Sequence, residues 1–301
     1  MKIFQFIENY FWVFLISGII LGLYHPVYTD TLMSMLKPLM MTMLFLVFLK
    51  TDFVLILKQI QNYRLIAYLA CIYMLIIPVI FFLALNLFNK EMALAILLLT
   101  AMPAAVSAAS LTDIVKGNIA LASGITIITS LLAPFTIPLL FRFLNYETFT
   151  INTWDIFADL IIIVFVPLIL SQVIKRVIPG FISRGINKIT PVNILIISLM
   201  IYAAMGSQRE MIISGFPGLL WHIMALYLIF ILLHFLGYFI GYNQTKESKV
   251  AITIGTAYKN NGLAIVLAAI HFEPSILVLM VLSEFPWNTL LAPFRRVVRY
   301  L

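Results

Sequence analysis

The chain has 301 residues, of which 63% are hydrophobic and only 10% are charged, and its mean hydropathy is +1.09. This composition excludes a water-soluble globular protein, because the apolar residues fall in many stretches long enough to span a bilayer. The formal net charge of +7 does not indicate a nucleic-acid partner, since the basic residues follow the membrane topology described below. A single cysteine, Cys71, excludes a disulfide framework and a cysteine-based metal site.

Ten apolar segments of bilayer-spanning length follow one another and are joined by short turns. The first is similar to a signal peptide, but Glu8 interrupts its charged end and no small-residue cleavage site follows. We therefore predict a retained first helix and an all-α integral membrane protein with ten transmembrane helices. The predicted spans cover residues 10–25, 35–50, 64–88, 91–115, 117–143, 154–175, 190–206, 217–241, 249–271 and 275–295.

Basic residues are distributed unequally between the two sides of these spans. With ten spans both termini share one side, which holds 14 of the 19 lysines and arginines, whereas the opposite side holds 4. The remaining one, Lys259, lies within the ninth span. Because cytoplasmic loops are enriched in lysine and arginine, we predict a protein of the cell membrane with both termini in the cytoplasm. The lipid bilayer, including its anionic lipids, is an expected partner.

A short internal repeat relates the first five spans to the last five. The sequence LLAP occurs at residues 131–134 and again at residues 290–293, and the same offset relates Pro103 in the fourth span to Gly262 in the ninth. Halves with an odd number of spans have opposite orientations in the membrane, so we predict two inverted repeats. Interrupted spans at corresponding positions of such repeats point to the binding site of a transporter. The predicted halves are residues 1–145 and 146–301.

Helix breaks are predicted at Pro103 and Gly262. Pro103 removes a backbone donor from the fourth span, and residues 259–262 of the apolar ninth span read Lys-Asn-Asn-Gly. An ionisable side chain at bilayer depth is costly and is usually kept for function. Interrupted backbone there is tolerated only against protein or a water-filled cavity. The two breaks therefore predict the centre of a transport site.

Several of these motifs resemble the bile acid:sodium symporter family. The resemblance rests on the stretch from Pro103 to residues 131–134, on residues 260–264 (Asn-Asn-Gly-Leu-Ala) and, less strongly, on Trp287 and Asn288. It implies one transporter unit with a core domain of spans 3–5 and 8–10, a panel domain of spans 1, 2, 6 and 7, and broken spans 4 and 9 that cross. It also implies transport of a small organic anion by alternating access. The side chains predicted to contact this substrate are Ser107, Ala108, Ala109, Asn260, Asn261, Trp287 and Asn288.

The sodium ligands of that family are not retained in this chain. The positions that correspond to its first sodium site are Ala108, Ala109, Ala122, Thr126 and Gly255. The positions that correspond to its second site are Gly255, Tyr73 and Lys259. Only Thr126 keeps the type of ligand that the resemblance implies, although the Tyr73 hydroxyl could stand in for a lost amide. We therefore predict a divergent member in which both sodium sites are absent and sodium is not a partner.

Lys259 occupies a position where the resemblance implies a bound cation, and its ammonium group would supply the same charge covalently. A lysine that releases and regains its proton would couple transport to protons, whereas a permanently charged lysine would leave transport uncoupled from cations. Lys259 could also bind the anionic substrate directly. A structural alternative is an ion pair with Glu284 of the tenth span, because buried charges need partners. All four interpretations stay open from the sequence.

Other candidates are weaker. Asp159 lies one or two turns inside the sixth span and is predicted to reach water, with an acid facing the cleft as the alternative. His234 has no neighbouring ligand at helical spacing, and no catalytic constellation is recognisable, so neither an enzyme, a metal nor a cofactor is expected. A passive channel is disfavoured because most spans lack polar residues. An exporter or facilitator of the same superfamily is the closer alternative.

Overall fold

The computed structural model describes residues 2–51, 63–144, 152–178, 185 and 188–300, and regular secondary structure in that part of the chain is helical. Two basic residues that contribute to the charge count, Lys58 and Arg184, lie outside the described residues. The boundary between the two predicted halves, at residues 145 and 146, also lies outside them.

The helices are numbered along the described part of the chain. In the first half they are α1 (Lys2–Asn9), α2 (Phe11–Tyr24), α3 (Thr29–Ser34), α4 (Leu36–Lys50), α5 (Tyr63–Asn86), α6 (Lys90–Ala101), α7 (Ala108–Ile114) and α8 (Ile119–Phe143). In the second half they are α9 (Thr153–Val177), α10 (Ile189–Ser207), α11 (Arg209–Ser214), α12 (Phe216–Ile240), α13 (Lys246–Ala257), α14 (Asn261–His271), α15 (Pro274–Leu282), α16 (Glu284–Thr289) and α17 (Leu291–Tyr300).

Six helical segments of the described chain are long and apolar enough to cross a bilayer. They are α5, α8, α9, α10, the Gly218–Ile240 part of α12, and the run from α15 to α17 over Pro274–Arg299. The predicted class, an all-helical integral membrane protein with several spans, is confirmed. The total of ten spans and the inverted repeat stay predictions, because α6, α7, α13 and α14 are short pieces on either side of two breaks.

One group of helices consists of α2, α3, α4, α9 and α10. Helix α2 packs along α10, and α4 packs against both α9 and α10. The α2–α10 contact is close because small residues bring the two backbones together. A Cβ atom added to Gly18 would lie 2.6 Å from the carbonyl oxygen of Ser198, and one added to Gly22 would lie 2.7 Å from that of Tyr202.

We expect Gly18→Ala to destabilise the protein, because a backbone oxygen cannot move aside as a flexible side chain can. Overpacking of this kind costs about 1–3 kcal/mol. The matched control is Gly218→Ala, since a Cβ at Gly218 would meet no atom within 4 Å. Thermal unfolding of the detergent-solubilised protein is expected to show a lower midpoint for the Gly18 variant alone. Equal midpoints for both variants would contradict the close α2–α10 contact.

The second group of helices consists of α5–α8 and α12–α17. Helix α5 packs against α6, α12 packs against α13, and α8 contacts α5, α7 and α13. Helices α6 and α14 are almost completely enclosed by their neighbours, with α15 packed against both. Helix α5 contains a π-helical turn at Ile72–Ile76, a widening that recurs at functional sites. These contacts put the C-terminal end of α6 and the N-terminal end of α14 in the middle of the group.

Candidate functional site

The two broken spans cross at their breaks. Between α6 and α7, and between α13 and α14, the chain is extended, and the two segments pair in an antiparallel bridge at Ala104 and Lys259. The amide of Ala105 donates to the carbonyl oxygen of Tyr258 at 2.8 Å, and the amide of Asn260 donates to that of Pro103 at 2.9 Å. Backbone groups that helices would otherwise satisfy are thus satisfied by the opposite break, as burial requires.

Side chains complete the hydrogen bonding of the crossing. The Asn260 side-chain oxygen accepts from the amide of Leu263 at 3.1 Å and so caps α14. Thr129 of α8 accepts from the amide of Ala104 at 3.1 Å. Sequence reasoning missed Thr129, although its position three residues after Thr126 on one helix face was a usable signal. Asn260 therefore has a structural role in addition to its predicted contact with substrate.

Gly262 is not where the ninth span breaks. The break comprises residues 258–260, and Gly262 lies in the first turn of α14. A Cβ atom at Gly262 would lie 3.2 Å from Ile197 Cδ1 and 3.3 Å from Met43 Cε. The glycine thus allows α10 and α4 to approach α14 closely, and its predicted role as the helix breaker was wrong.

Lys259 is fully buried at the crossing. Its Nζ atom donates a long hydrogen bond of 3.4 Å to the carbonyl oxygen of Tyr73. The same atom lies 5.3 Å from the centre of the Tyr73 ring, within the range of a cation–π interaction. Tyr73 belongs to the π-helical turn of α5, and its hydroxyl donates to the carbonyl oxygen of Ile252 at 2.8 Å. Tyr73 thus contacts Lys259 through its backbone carbonyl and its ring, whereas the hydroxyl, which was expected to stand in for a lost amide, is directed at another carbonyl oxygen.

The structural alternative of a Lys259–Glu284 ion pair is not realised among the described residues, whose ion pairs lie elsewhere. Glu284 is only 5% exposed. One of its carboxylate oxygens accepts from Asn288 Nδ2 at 3.0 Å, and the same amide donates to the Glu284 carbonyl oxygen at 2.7 Å. Lys259 and Glu284 are therefore two separately buried ionisable groups.

The tenth span is joined to the second break by hydrogen bonds. Trp287 Nε1 donates to the carbonyl oxygen of Lys259 at 3.0 Å, and Asn261 Nδ2 donates to Ser283 Oγ at 2.9 Å. The Tyr258 ring packs edge-on against those of Trp287 and His234, with both centroids 5.3 Å away. The structure thus brings Asn261, Trp287 and the break together, and their common contact with substrate stays a prediction.

The predicted site residues near the first break take less part in the crossing. Ser107 precedes α7 without capping it, and Ala108 is buried. Thr126 Oγ1 donates to the carbonyl oxygens of Ala122 and Ala105, at 3.0 and 3.3 Å. Ala109 and Ser107 are partly exposed. These residues lie beside the crossing, and their contact with substrate stays a prediction.

The position of Gly255, which the resemblance places in both implied sodium sites, is closely packed. A Cβ atom at Gly255 would lie 3.1 Å from Ile125 Cγ2 and 3.2 Å from Tyr73 Cε2. The space next to Gly255, where the resemblance implies a shared carboxylate, is thus closely lined by an aliphatic and an aromatic side chain. The Tyr73 hydroxyl is itself directed at the Ile252 carbonyl oxygen.

A charged cluster joins the two groups of helices at the end of α14. Asp159 of α9 forms an ion pair with Lys37 of α4, and its other carboxylate oxygen is hydrogen-bonded to His271 Nε2 of α14 at 3.0 Å. The Asp159 side chain is 18% exposed, so its predicted access to water is limited. His271 was not recognised from the sequence, although it closes the ninth span. This cluster is a functional candidate because it connects helices of both groups.

A comparison with protein families decides the assignment. The model of the SBF-like CPA transporter family matches residues 9–285, which is most of the chain. The chain belongs to this family. The resemblance to the bile acid:sodium symporter family is thereby confirmed at the family level, whereas the divergence of the sodium sites stays a prediction. As an SBF-like transporter, the protein is a multi-pass membrane transporter and not an enzyme.

Two curated relatives are similar over part of their length. An uncharacterized sodium-dependent transporter of Bacillus subtilis, YocS, is 27% identical over 190 residues, which are 61% of this chain and 57% of the relative. An uncharacterized protein of Pseudomonas aeruginosa, PA2026, is 28% identical over 214 residues, which are 64% of this chain and 60% of the relative. The matches thus span less than two thirds of either curated relative.

Proposed function

We propose that this SBF-like transporter moves a small organic anion across the cell membrane by alternating access, without sodium, and that Lys259 takes the place of a bound cation. The observation on which the proposal rests is a fully buried ammonium group at the crossing of two broken helices. An isolated charge is costly to bury, and the partners of Lys259 among the described residues are a carbonyl oxygen and an aromatic ring. An anionic substrate would supply the missing countercharge.

The surroundings of Lys259 also favour an anion. Helix α14 begins at the crossing, and the positive end of a helix dipole stabilises negative charge. Discontinuous helices of transporters direct their N-termini at anionic substrate groups in this manner. Asn261 and Asn288 offer polar groups for orientation, and Trp287 offers an apolar surface. The proposed cleft lies between the group of α2–α4, α9 and α10 and the group that contains the crossing, with both chain termini in the cytoplasm.

Sodium independence is supported by the packing around Gly255. A relative is named sodium-dependent, but here Ile125 and Tyr73 approach the position from which a ligating side chain would extend. A sodium ion requires a shell of oxygen ligands, and Gly255, Lys259 and Ala108 provide no side-chain oxygen. The proposed transport cycle therefore includes no sodium ion bound at either of the two implied sodium sites.

Uptake by purified protein in liposomes tests the proposal. We expect counterflow of at least one small anion from a panel of taurocholate, pyruvate, pantoate and glutamate. The rate should be equal in sodium and in potassium media, because the charge of Lys259 is covalently fixed. Liposomes without protein provide the control for leakage. A rate that requires sodium would contradict sodium independence, and absence of counterflow for the whole panel would contradict transport of small organic anions.

A further inference from the structure

A buried polar cluster lies between the second break and the tenth span. It consists of Asn261 at the start of α14, Ser283 between α15 and α16, and Glu284 and Asn288 on α16. Ser283 is fully buried, Asn261 is 4% exposed, and Glu284 is 5% exposed. The amide of Asn288 donates to the Glu284 carboxylate at 3.0 Å, and Asn261 joins the cluster through its hydrogen bond to Ser283. These side chains enclose one ionisable group away from water.

The cluster has more acceptors than donors. Asn261 Nδ2 donates to Ser283, the Ser283 hydroxyl donates to the Met280 carbonyl oxygen at 2.6 Å, and Asn288 Nδ2 donates to Glu284. The side-chain oxygens of Asn261 and Asn288 are buried and have no hydrogen-bond partner. Buried polar atoms are normally paired, so two unpaired acceptors in a cluster that contains a carboxylate point to a missing hydrogen.

A proton on Glu284 removes the buried negative charge and reduces the excess of acceptors. The protonated carboxyl is neutral, and its O–H group is a donor for one of the unpaired amide oxygens. A metal cation fits less well, because Glu284 is the single carboxylate of the cluster and a hard cation needs many oxygen ligands. We propose that Glu284, together with Asn261 and Asn288, is the proton-binding site of this transporter.

This inference rests on the proposed function and specifies its coupling. When Glu284 is ionised, its negative charge offsets the positive charge of Lys259, and the buried region does not attract an anion. When Glu284 binds a proton, the charge of Lys259 is uncompensated and an anion is attracted. Proton and anion then promote each other's binding, as reciprocal linkage requires. Proton and anion move together, and Lys259 remains the fixed charge.

Other titratable groups surround the site. On the elements packed against α16 and around the break they include Lys259, Tyr258 and Tyr73, the α12 residues His222, Tyr227, His234 and Tyr238, and the exposed arginines Arg295, Arg296 and Arg299 of α17. The Tyr227 hydroxyl is bonded to Thr289 at 2.8 Å, and His234 Nδ1 to the Phe230 carbonyl oxygen at 2.7 Å. Only Glu284 among these groups is a carboxyl, so a vibration of a protonated carboxylic acid distinguishes it from the others.

Infrared difference spectroscopy of the purified full-length protein tests the site with the proton itself as ligand. On titration with pH we expect a band of a buried protonated carboxyl that disappears as the pH rises. Glu284→Gln should abolish the band, and Glu284→Asp should retain one at a changed frequency. Glu273→Gln is the matched control, since Glu273 is an exposed glutamate next to α15 and its loss should leave the band unchanged. Lys259→Met should also retain the band.

Three outcomes would overturn the inference. They are absence of the band in the wild type, its persistence in Glu284→Gln, and a sodium-induced spectral change that Glu284→Gln removes, which would make the cluster a sodium site. The proposed function is tested separately by anion counterflow. Counterflow without the band refutes the proton site alone. The band without counterflow supports the proton site and refutes organic-anion transport.

Discussion

Replacement of Lys259 by methionine is expected to reduce anion uptake by about 10- to 100-fold and, at the same time, to raise the thermal stability of the protein. Hydrogen bonds to charged groups contribute about 1.5–3 kcal/mol, and each 1.4 kcal/mol corresponds to about a factor of ten. The loss of one charge-assisted contact with the substrate therefore predicts the decrease in uptake. Methionine has a similar length, so the packing against Tyr73 should be retained.

The increase in stability follows from the burial of Lys259. Its ammonium group is fully buried and has one long hydrogen bond and one ring contact. Such a charge costs free energy in the folded protein, and even the replacement of a buried ion pair by apolar residues is often stabilising, by about 1–4 kcal/mol. A gain of this size corresponds to an unfolding midpoint higher by at least about 2 °C. Opposite changes in activity and stability would indicate a residue kept for function.

Counterflow and thermal unfolding of the same protein preparation measure the two effects. Lys246→Met is the matched control, because Lys246 is an exposed lysine at the start of α13 and its replacement should change neither quantity. Full uptake by the Lys259 variant would remove the main support for the proposed function. A decrease in both uptake and stability would mean that Lys259 is a structural residue.

The breaks could be found from the sequence because they have local causes. Pro103 cannot donate to a helix, and the Lys-Asn-Asn-Gly stretch combines polar residues with a glycine, so both interruptions were expected within a few residues. Local sequence did not separate the residue that breaks the helix from the residue that allows close packing. Gly262 was predicted to break the helix. It instead allows close packing, because the neighbours that approach it come from α4 and α10.

The partners of the charged residues could not be found in this way. Lys259 meets Tyr73, which is 186 residues away, and Asp159 meets His271, which is 112 residues away. Such pairs depend on how α5, α9 and α14 are arranged, and a hydrophobic pattern does not fix that arrangement. The π-helical turn that contains Tyr73 has no proline or glycine to signal it. The position of the breaks was therefore predictable, and the partners of the charged residues were not.

Cross-linking position 159 to position 271 is expected to stop transport. Asp159 belongs to α9, in the group of α2, α3, α4, α9 and α10, and His271 belongs to α14, in the group that contains the crossed breaks. In the proposed alternating access these groups move relative to each other. The Asp159–His271 contact must then separate and re-form in every cycle, whereas the Asp159–Lys37 pair joins helices of one group and need not separate.

The experiment compares two cysteine pairs in a background in which the single native cysteine is replaced by Cys71→Ser. One pair combines Asp159→Cys with His271→Cys, and the other combines Asp159→Cys with Lys37→Cys. A short bifunctional methanethiosulfonate reagent links each pair, and counterflow is measured before linking, after linking and after reduction. We expect a loss of at least about tenfold for the first pair, reversed by reduction, and little change for the second.

The cysteine pair at positions 159 and 37 controls for the removal of Asp159. Both pairs remove Asp159, so any requirement for its charge lowers the starting rate of both variants equally and cancels in the ratio of rates before and after linking. Only a restriction of motion between the two groups distinguishes them. If both links stop counterflow, α4 and α9 must also move apart and the proposed rigid grouping is wrong. If neither link does, the Asp159–His271 contact persists through the cycle, and the two groups do not separate at this point.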